Sequence, residues 1–303
     1  MKIHINKRTN LNEIMLSDAF ELTDNPIEAD FIISQSTICD TSLLSKTIYI
    51  ATEPPLSDHR LYCYSNFDKF HTVITHNPDK NKDNQFPFTT SNEPQYYPYR
   101  PDPSIIPIYT REDTTIGKRG VFYAGAIGTY EQVPNRFGGV NITKVRRILG
   151  DEFSKNPDSK IIGIGRNGQC NKVKDWRFDK SEQIRKSNCD FVLALENTML
   201  PNYISEKIWD GFASDRVTLY LGDQNIDEHI PLNCFVDLRP YFNKETGELD
   251  IRSINQIINN MSQVVYDMIL NNARELRDKT TGKHWELKNK LTQFIIDRIN
   301  ETN

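Results

Sequence analysis

The sequence predicts an α/β protein with two Rossmann-like domains in series, on three observations. Short apolar runs alternate with helical patterns at the intervals of a parallel sheet in both halves of the chain. The central stretch Phe191–Gly222 reads strand, loop, helix, strand, the unit whose ligands sit beyond the C-terminal ends of its strands. Between the halves lies 77–111, crowded with Asn, Asp, Lys, Pro and Tyr and expected to hold little regular structure. The resulting division is 1–115 for a first domain, 116–276 for a second and 277–303 for a closing amphipathic helix.

In the first domain, Lys2–Ile5 reads as a strand and Leu11–Leu22 as a helix, with apolar residues at 11, 14, 15, 19 and 22. Ala29–Ser34 and Thr47–Ala51 are the next strands. Thr52-Glu53-Pro54-Pro55 ends the latter, because two prolines forbid its continuation. His71–Thr75 is a further strand. In the second domain Val121–Ala124 opens the sheet, Ile142–Leu149 is a helix carrying Lys144, Arg146 and Arg147, and Ile161–Ile164 is a strand. Asp179–Ser187 reads as a polar helix. Beyond Gly222 come a helical turn at Ile226–Ile230, a short strand at Phe235-Val236, and helices at Leu249–Ile258 and Met261–Leu276. Trp285–Ile299 places Leu287, Leu291, Phe294, Ile295 and Ile299 on one face. That pattern suggests peripheral membrane contact, while its mixed charges argue first for packing onto the protein body.

The chemistry concentrates in the central stretch. Phe191–Leu195 has the length of a buried parallel strand, and Glu196-Asn197-Thr198 follows where the strand leaves the core. After a loop with Pro201, Ser205 can cap a helix whose Ile204, Ile208, Trp209 and Phe212 recur at helical spacing. Val217–Leu221 is the second strand, closed by Gly222. Glu206 and Lys207 fall in the first helical turn, where exposed N–H groups and the macrodipole favour an anion. A lysine is disfavoured there, and a bound phosphate would answer both the dipole and the ammonium. Glu206 suits a pair of ribose hydroxyls. An ordinary first-turn glutamate beside a solvated lysine is the alternative reading of the same spacing.

Bulk composition narrows the classes. With 303 residues the chain can bury a large core, and a net charge of -4 argues against a dedicated nucleic-acid binder. Cys39, Cys63, Cys170, Cys189 and Cys234 form no close pair, a pattern of reduced cytosol rather than of a disulfide framework. Met1–Ile5 reads as a strand rather than a signal peptide, and no apolar run is long enough for a transmembrane segment. A soluble, cytoplasmic protein is expected. His4, His59, His71, His76, His229 and His284 are scattered, and HExxH, paired cysteines and D-x-D are all missing. No metal or other cofactor is expected.

The central stretch resembles the donor-binding motif of the α1,3/α1,4-fucosyltransferases, which reads F-x-x-x-F-E-N, six residues, Y-[VI]-[TS]-E-K, a helix, P, a strand and G. Glu196, Asn197, Tyr203, Ile204, Ser205, Glu206, Lys207 and Gly222 match at that spacing. Leu195 stands where the family usually has an aromatic, and Val217-Thr218 where it commonly has Val-Pro. The resemblance is strong over Phe191–Gly222, moderate from Gly120 to Leu238, and rests largely on one site in the first 115 residues. It implies the GT-B fold: an acceptor domain and a donor domain facing across a cleft. Animal members of that family carry an N-terminal membrane helix, whereas this chain looks more like the soluble bacterial members.

The resemblance also implies roles. The matching lysine, Lys207, would contact the donor phosphates and the matching glutamate, Glu206, the ribose, with Asn197 and Tyr203 lining the same pocket. The family's diphosphate-binding arginine on the early donor-domain helix has no clean counterpart among Arg136, Lys144, Arg146 and Arg147, and Arg146 is the choice. Arg166, between Gly165 and Gly168 at a strand end, is a separate candidate for the nucleotide. Glu53 is the expected general base. It ends an apolar strand in a Thr52-Glu53 setting like the family's T-G-E-N, with Ala51 and Pro54 in place of the glycine and asparagine. The implied reaction is inverting transfer of L-fucose from GDP-β-L-fucose to a glycan acceptor, releasing GDP without a catalytic metal. The alternatives are transfer from a different nucleotide sugar and a non-catalytic glycan- or nucleotide-binding protein.

Overall fold

The computed structural model describes residues 1–6, 11–34, 41–51, 64–75, 81–87, 111, 113–126, 140–164, 183–280 and 283–302. The chain divides into two compact units, Met1–Tyr99 with Gly282–Asn303, and Arg100–Thr281.

The first unit is built on an all-parallel sheet of β1 (Lys2–Ile5), β2 (Glu21–Leu22), β3 (Phe31–Ser34), β4 (Thr47–Ala51), β5 (Thr72–Thr75) and β6 (Gln85–Pro87), in the order β2-β1-β3-β4-β5-β6. Helix α1 (Glu13–Ala19) starts at Asn12, whose side chain accepts from the Met15 N–H. It stops well short of Leu22, contrary to the sequence expectation. Phe20 turns extended, and Glu21 N–H and Thr23 N–H donate to Met1 and Ile3 carbonyls, so ladder pairing with β1 claims this backbone. β4 is buried along its whole length, as a central strand covered on both faces must be. Within the stretch expected to hold little regular structure, the short β6 is an element that the sequence did not locate. Its Pro87 is tolerated because the strand lies at the sheet edge. Apart from 81–87 and Arg111, the stretch 77–111 lies outside the described residues.

The second unit has a five-stranded parallel sheet of β7 (Val121–Ala126), β9 (Lys160–Ile164), β10 (Phe191–Leu195), β12 (Val217–Leu221) and β13 (Val236–Asp237). A small antiparallel pair, β8 (Val140–Asn141) with β11 (Thr198–Met199), lies beside it. The order is β13-β12-β10-β7-β9, so the chain goes from β7 outward to β9 and then returns to β10 on the other side of β7. That reversal is a topological switch point, where open α/β sheets bind ligands beyond the strand ends. One face packs Val121, Leu193, Leu195 and Leu219 against Val145 and Leu149 of α2 (Thr143–Phe153) and against buried residues of α4 (Ile251–Asn260) and α5 (Gln263–Thr280). Helix α3 (Glu206–Ala213) lies close to β10 and β12. Gly211 makes this approach feasible, since a Cβ there would run into the Thr218 hydroxyl. Of the polar helix expected at 179–187, residues 183–186 are helical and 179–182 lie outside the described residues.

The last helix, α6 (Lys283–Asn300), belongs to the first unit. Ile295, Ile296 and Ile299 are buried with Ile3, Leu16, Ile33, Ile48 and Ile74, and the Thr292 hydroxyl accepts from the Asn12 N–H at 2.9 Å. Its apolar face is thereby used in the core of that unit. Among the described residues no helix is long and apolar enough to cross a membrane.

Candidate functional site

Strand β10 delivers Glu196 to the C-terminal edge of the second sheet, and the loop that follows carries Asn197 and Tyr203 before α3 begins. Glu196 is fully buried, a placement that demands partners for its charge. Its Oε1 accepts from the Ser205 N–H at 2.7 Å and its Oε2 from the Ser205 hydroxyl at 2.7 Å. Lys207 Nζ lies 3.1 Å from the same Oε2 and 2.6 Å from Ser205 Oγ. Ser205 is the cap of α3, its Oγ accepting from the Lys207 N–H at 3.4 Å. Strand end and helix start are therefore joined through one carboxylate.

Gly222 permits this closeness from the other side. A Cβ there would collide with Glu196 Cγ and with the Tyr220 hydroxyl, so only glycine lets β12 end beside the carboxylate. The reading of Lys207 as a solvated surface lysine is overturned, since its side chain is only 18% exposed. Its ammonium is held against the strand end, with Glu206 Oε1 also 3.6 Å away. Glu206 remains about one-third exposed, at 33%. The arrangement places the start of α3, with the Lys207 ammonium paired to Glu196, at the C-terminal edge of the sheet beside its switch point.

The remaining predicted residues fall differently. Tyr203 is buried and Asn197 half-buried, and the Asn197 carbonyl accepts from the Ile142 N–H at 3.4 Å. The β8–β11 pairing, Thr198 to Asn141 and Met199 to Val140, fixes the chain just past them. Arg146 is buried at the same strand end. Its Nη2 donates to the Leu195 carbonyl at 2.7 Å and its Nε to the Glu196 carbonyl at 3.1 Å. The guanidinium thus caps the open carbonyls of β10. Glu53 and Arg166 lie outside the described residues, each just past a described strand, β4 and β9 respectively.

Sequence reasoning matched Glu196 to a motif without assigning it work. The signal was available: a carboxylate ending an apolar strand eleven residues before a lysine in a helix's first turn. Tyr123 of β7 was also passed over. Its hydroxyl is buried with no hydrogen bond among the described residues. Burial pushes the phenol upward, and the nearby charges of Arg146 and Lys207 oppose that shift. Among the described residues no three His, Cys, Asp or Glu side chains converge as a metal site.

Two parallel sheets flanked by helices, each Rossmann-like, are the architecture of the GT-B fold. Residues 152–259 match the family model described as glycosyltransferase family 10 (fucosyltransferase), C-terminal part. The chain is 32% identical over 88 residues to 4-galactosyl-N-acetylglucosaminide 3-alpha-L-fucosyltransferase 9 of Homo sapiens and of Bos taurus. That match takes in 28% of this chain and 24% of each relative, so the chain aligns with about a quarter of their length. A solved α1,3-fucosyltransferase is similar over 95% of this chain and 92% of its own, with TM-score 0.51 and 15% identity. A structure of α1,3-fucosyltransferase with GDP-fucose is similar over 89% of this chain and 81% of its own, with TM-score 0.52 and 17% identity. Residues 152–259 thus resemble the C-terminal part of the fucosyltransferase family, within a chain of GT-B fold.

Proposed function

We propose that the protein is an inverting glycosyltransferase that moves L-fucose from GDP-β-L-fucose to a hydroxyl of a glycan acceptor and releases GDP. The observation that carries this reading is the Glu196–Ser205–Lys207 assembly at the end of β10, in a segment that lies within the family match. In the proposed mechanism, Lys207 and the N–H groups opening α3 stabilise the departing diphosphate, which gains charge as the glycosidic bond breaks. Glu206 accepts the ribose hydroxyls, and Asn197 and Tyr203 line the nucleotide pocket. Arg146 holds the strand end on which the pocket is built. Glu53 takes the acceptor hydroxyl's proton as that oxygen attacks from the face opposite the leaving group.

The test is a titration of GDP-fucose, GDP-mannose and UDP-sugars, with transfer followed in the presence and absence of EDTA and the anomeric configuration read by NMR. GDP-fucose turnover with inversion, indifferent to EDTA, is expected. Preference for another nucleotide sugar would replace the donor in this reading. Glu53→Gln keeps size and polarity but cannot take up the proton, so turnover should fall about 10²–10⁴-fold with GDP affinity unchanged. GDP binding with no transfer to any glycan would instead indicate a binding protein.

A further inference from the structure

Beside the Lys207 assembly lies a part-buried cluster that the proposed mechanism leaves unused: Asp223, Asn202 and His229. Asp223 directly follows Gly222 and is fully buried. Its Oδ1 accepts from the backbone N–H of Asn202 at 2.8 Å and of Asn225 at 3.1 Å. Its own N–H donates to the Tyr220 hydroxyl at 3.0 Å. His229 Nε2 stands 2.9 Å from Asn202 Oδ1 and 4.0 Å from Asp223 Oδ2. Asn202 is therefore gripped twice, at its backbone by the carboxylate and at its side chain by the imidazole.

That double grip falls on a strained residue. Asn202 has φ +62°, in the left-handed region that asparagine tolerates better than most residues but that still costs energy. The next residue is Tyr203, whose N–H closes a turn onto the Leu200 carbonyl at 3.1 Å. Two residues further on is Ser205, already pinned to Glu196. Relaxing Asn202 to negative φ would rotate the peptide leading into Tyr203 and pull against the helix start. The cluster is costly as well, because Asp223 Oδ2 and His229 Nδ1 are buried without a hydrogen bond among the described residues.

We infer that Asp223 and His229 are positioning residues for the nucleotide-sugar site: by holding Asn202 left-handed they set the placement of Tyr203 and of the Ser205–Lys207 helix start. The inference rests on the nucleotide-sugar reading given above. Its direct consequence is local, so two measurements are made on the full chain, hydrogen exchange of peptides covering 200–205 and calorimetric titration with GDP. In Asp223→Ala, exchange at 200–205 should accelerate at least tenfold and GDP affinity fall at least tenfold, with the far-UV spectrum unchanged. Asp223→Asn should restore both, since an amide oxygen can accept the same two N–H bonds. Should Asp223→Ala fail to fold, His229→Ala serves, with faster exchange at 200–205 and weaker GDP binding expected in the same direction. Unchanged exchange in a folded variant overturns the inference. So does faster exchange with undiminished GDP affinity, or an Asp223→Asn variant no better than the alanine. If the wild-type protein does not bind GDP at all, the donor reading fails, while the exchange data still decide whether Asp223 and His229 hold the turn.

Discussion

On the proposed reading Lys207 would serve both donor binding and folding, because its ammonium is the counter-charge of a fully buried carboxylate. Lys207→Ala is expected to weaken GDP binding by roughly 1.5–3 kcal/mol, the worth of a charge-assisted phosphate contact. It should also lower stability, by roughly 1–3 kcal/mol, since Glu196 is left buried with only Ser205 to satisfy it. Calorimetry well below the melting transition separates the two effects. Helical spacing leaves Lys207 off the stripe of Ile204, Ile208 and Phe212, so sequence alone gives it no part in the fold; the contact with Glu196 is tertiary. Asp223 gives a second test. Burial above all, with help from the Glu196 charge and against Arg239 and the two backbone N–H donors, raises its carboxyl to about 6 from an ordinary 3.8. The folded state therefore binds this proton more tightly than the unfolded one. The associated stability is fully present below the ordinary value and is lost as pH rises through the window up to about 6. An asparagine does not titrate. Between pH 4 and 7 the stability of Asp223→Asn relative to the wild type should thus rise by up to about 3 kcal/mol, from 1.36 kcal/mol per pKa unit. Denaturant melts of both proteins across that range check it, and a gap constant with pH would contradict it.

Helix α3 shows how much of an element its own residues specify. The Ser205 cap, Glu206 in the first turn and the spacing of Ile208, Trp209 and Phe212 mark its start and buried face, and the structure places the helix at Glu206–Ala213. Its distance from β12 is another matter, decided by Gly211 facing Thr218. Gly211→Ala should favour the isolated helix by propensity, yet cost the protein about 1–3 kcal/mol through overpacking against a buried strand. A urea midpoint shifted downward with an unchanged slope is the expected result. Helix α1 and strands β2 and β6 show the opposite weighting. Periodicity extended α1 to Leu22 and left 85–87 featureless, because pairing with β1 and β5 is invisible to any local pattern.

On the scale of the molecule, the first unit is completed from the far end of the chain. Among the described residues, three isoleucines of α6, with Leu291 and Phe294 packed beside them, complete a core otherwise made from residues before 75. At roughly 1.5–3 kcal/mol for each fully buried side chain, their removal costs an amount comparable to the whole stability of a domain. Truncation after Thr280 should therefore abolish or sharply lower the cooperative unfolding of Met1–Tyr99 while leaving that of Arg100–Thr281, read by calorimetry together with peptide-resolved hydrogen exchange. Two unchanged transitions would show that α6 is dispensable.

Strand and helix periodicity, with the two prolines after β4, were enough on sequence alone to establish the α/β class, and the ordered polar residues from Glu196 to Lys207 marked the stretch proposed to carry the chemistry. These are local properties, written by residues a few positions apart. Tertiary structure alone decided the rest: the strand reversal between β7 and β10, the turn of Arg146 toward the carbonyls of Leu195 and Glu196, the burial of Glu196 beneath Lys207, and the meeting of Asp223 and His229 at Asn202. Each joins groups separated in sequence by a loop, a strand or more. Which partner satisfies a buried charge depends on where the chain folds back, and no periodicity along the chain encodes that.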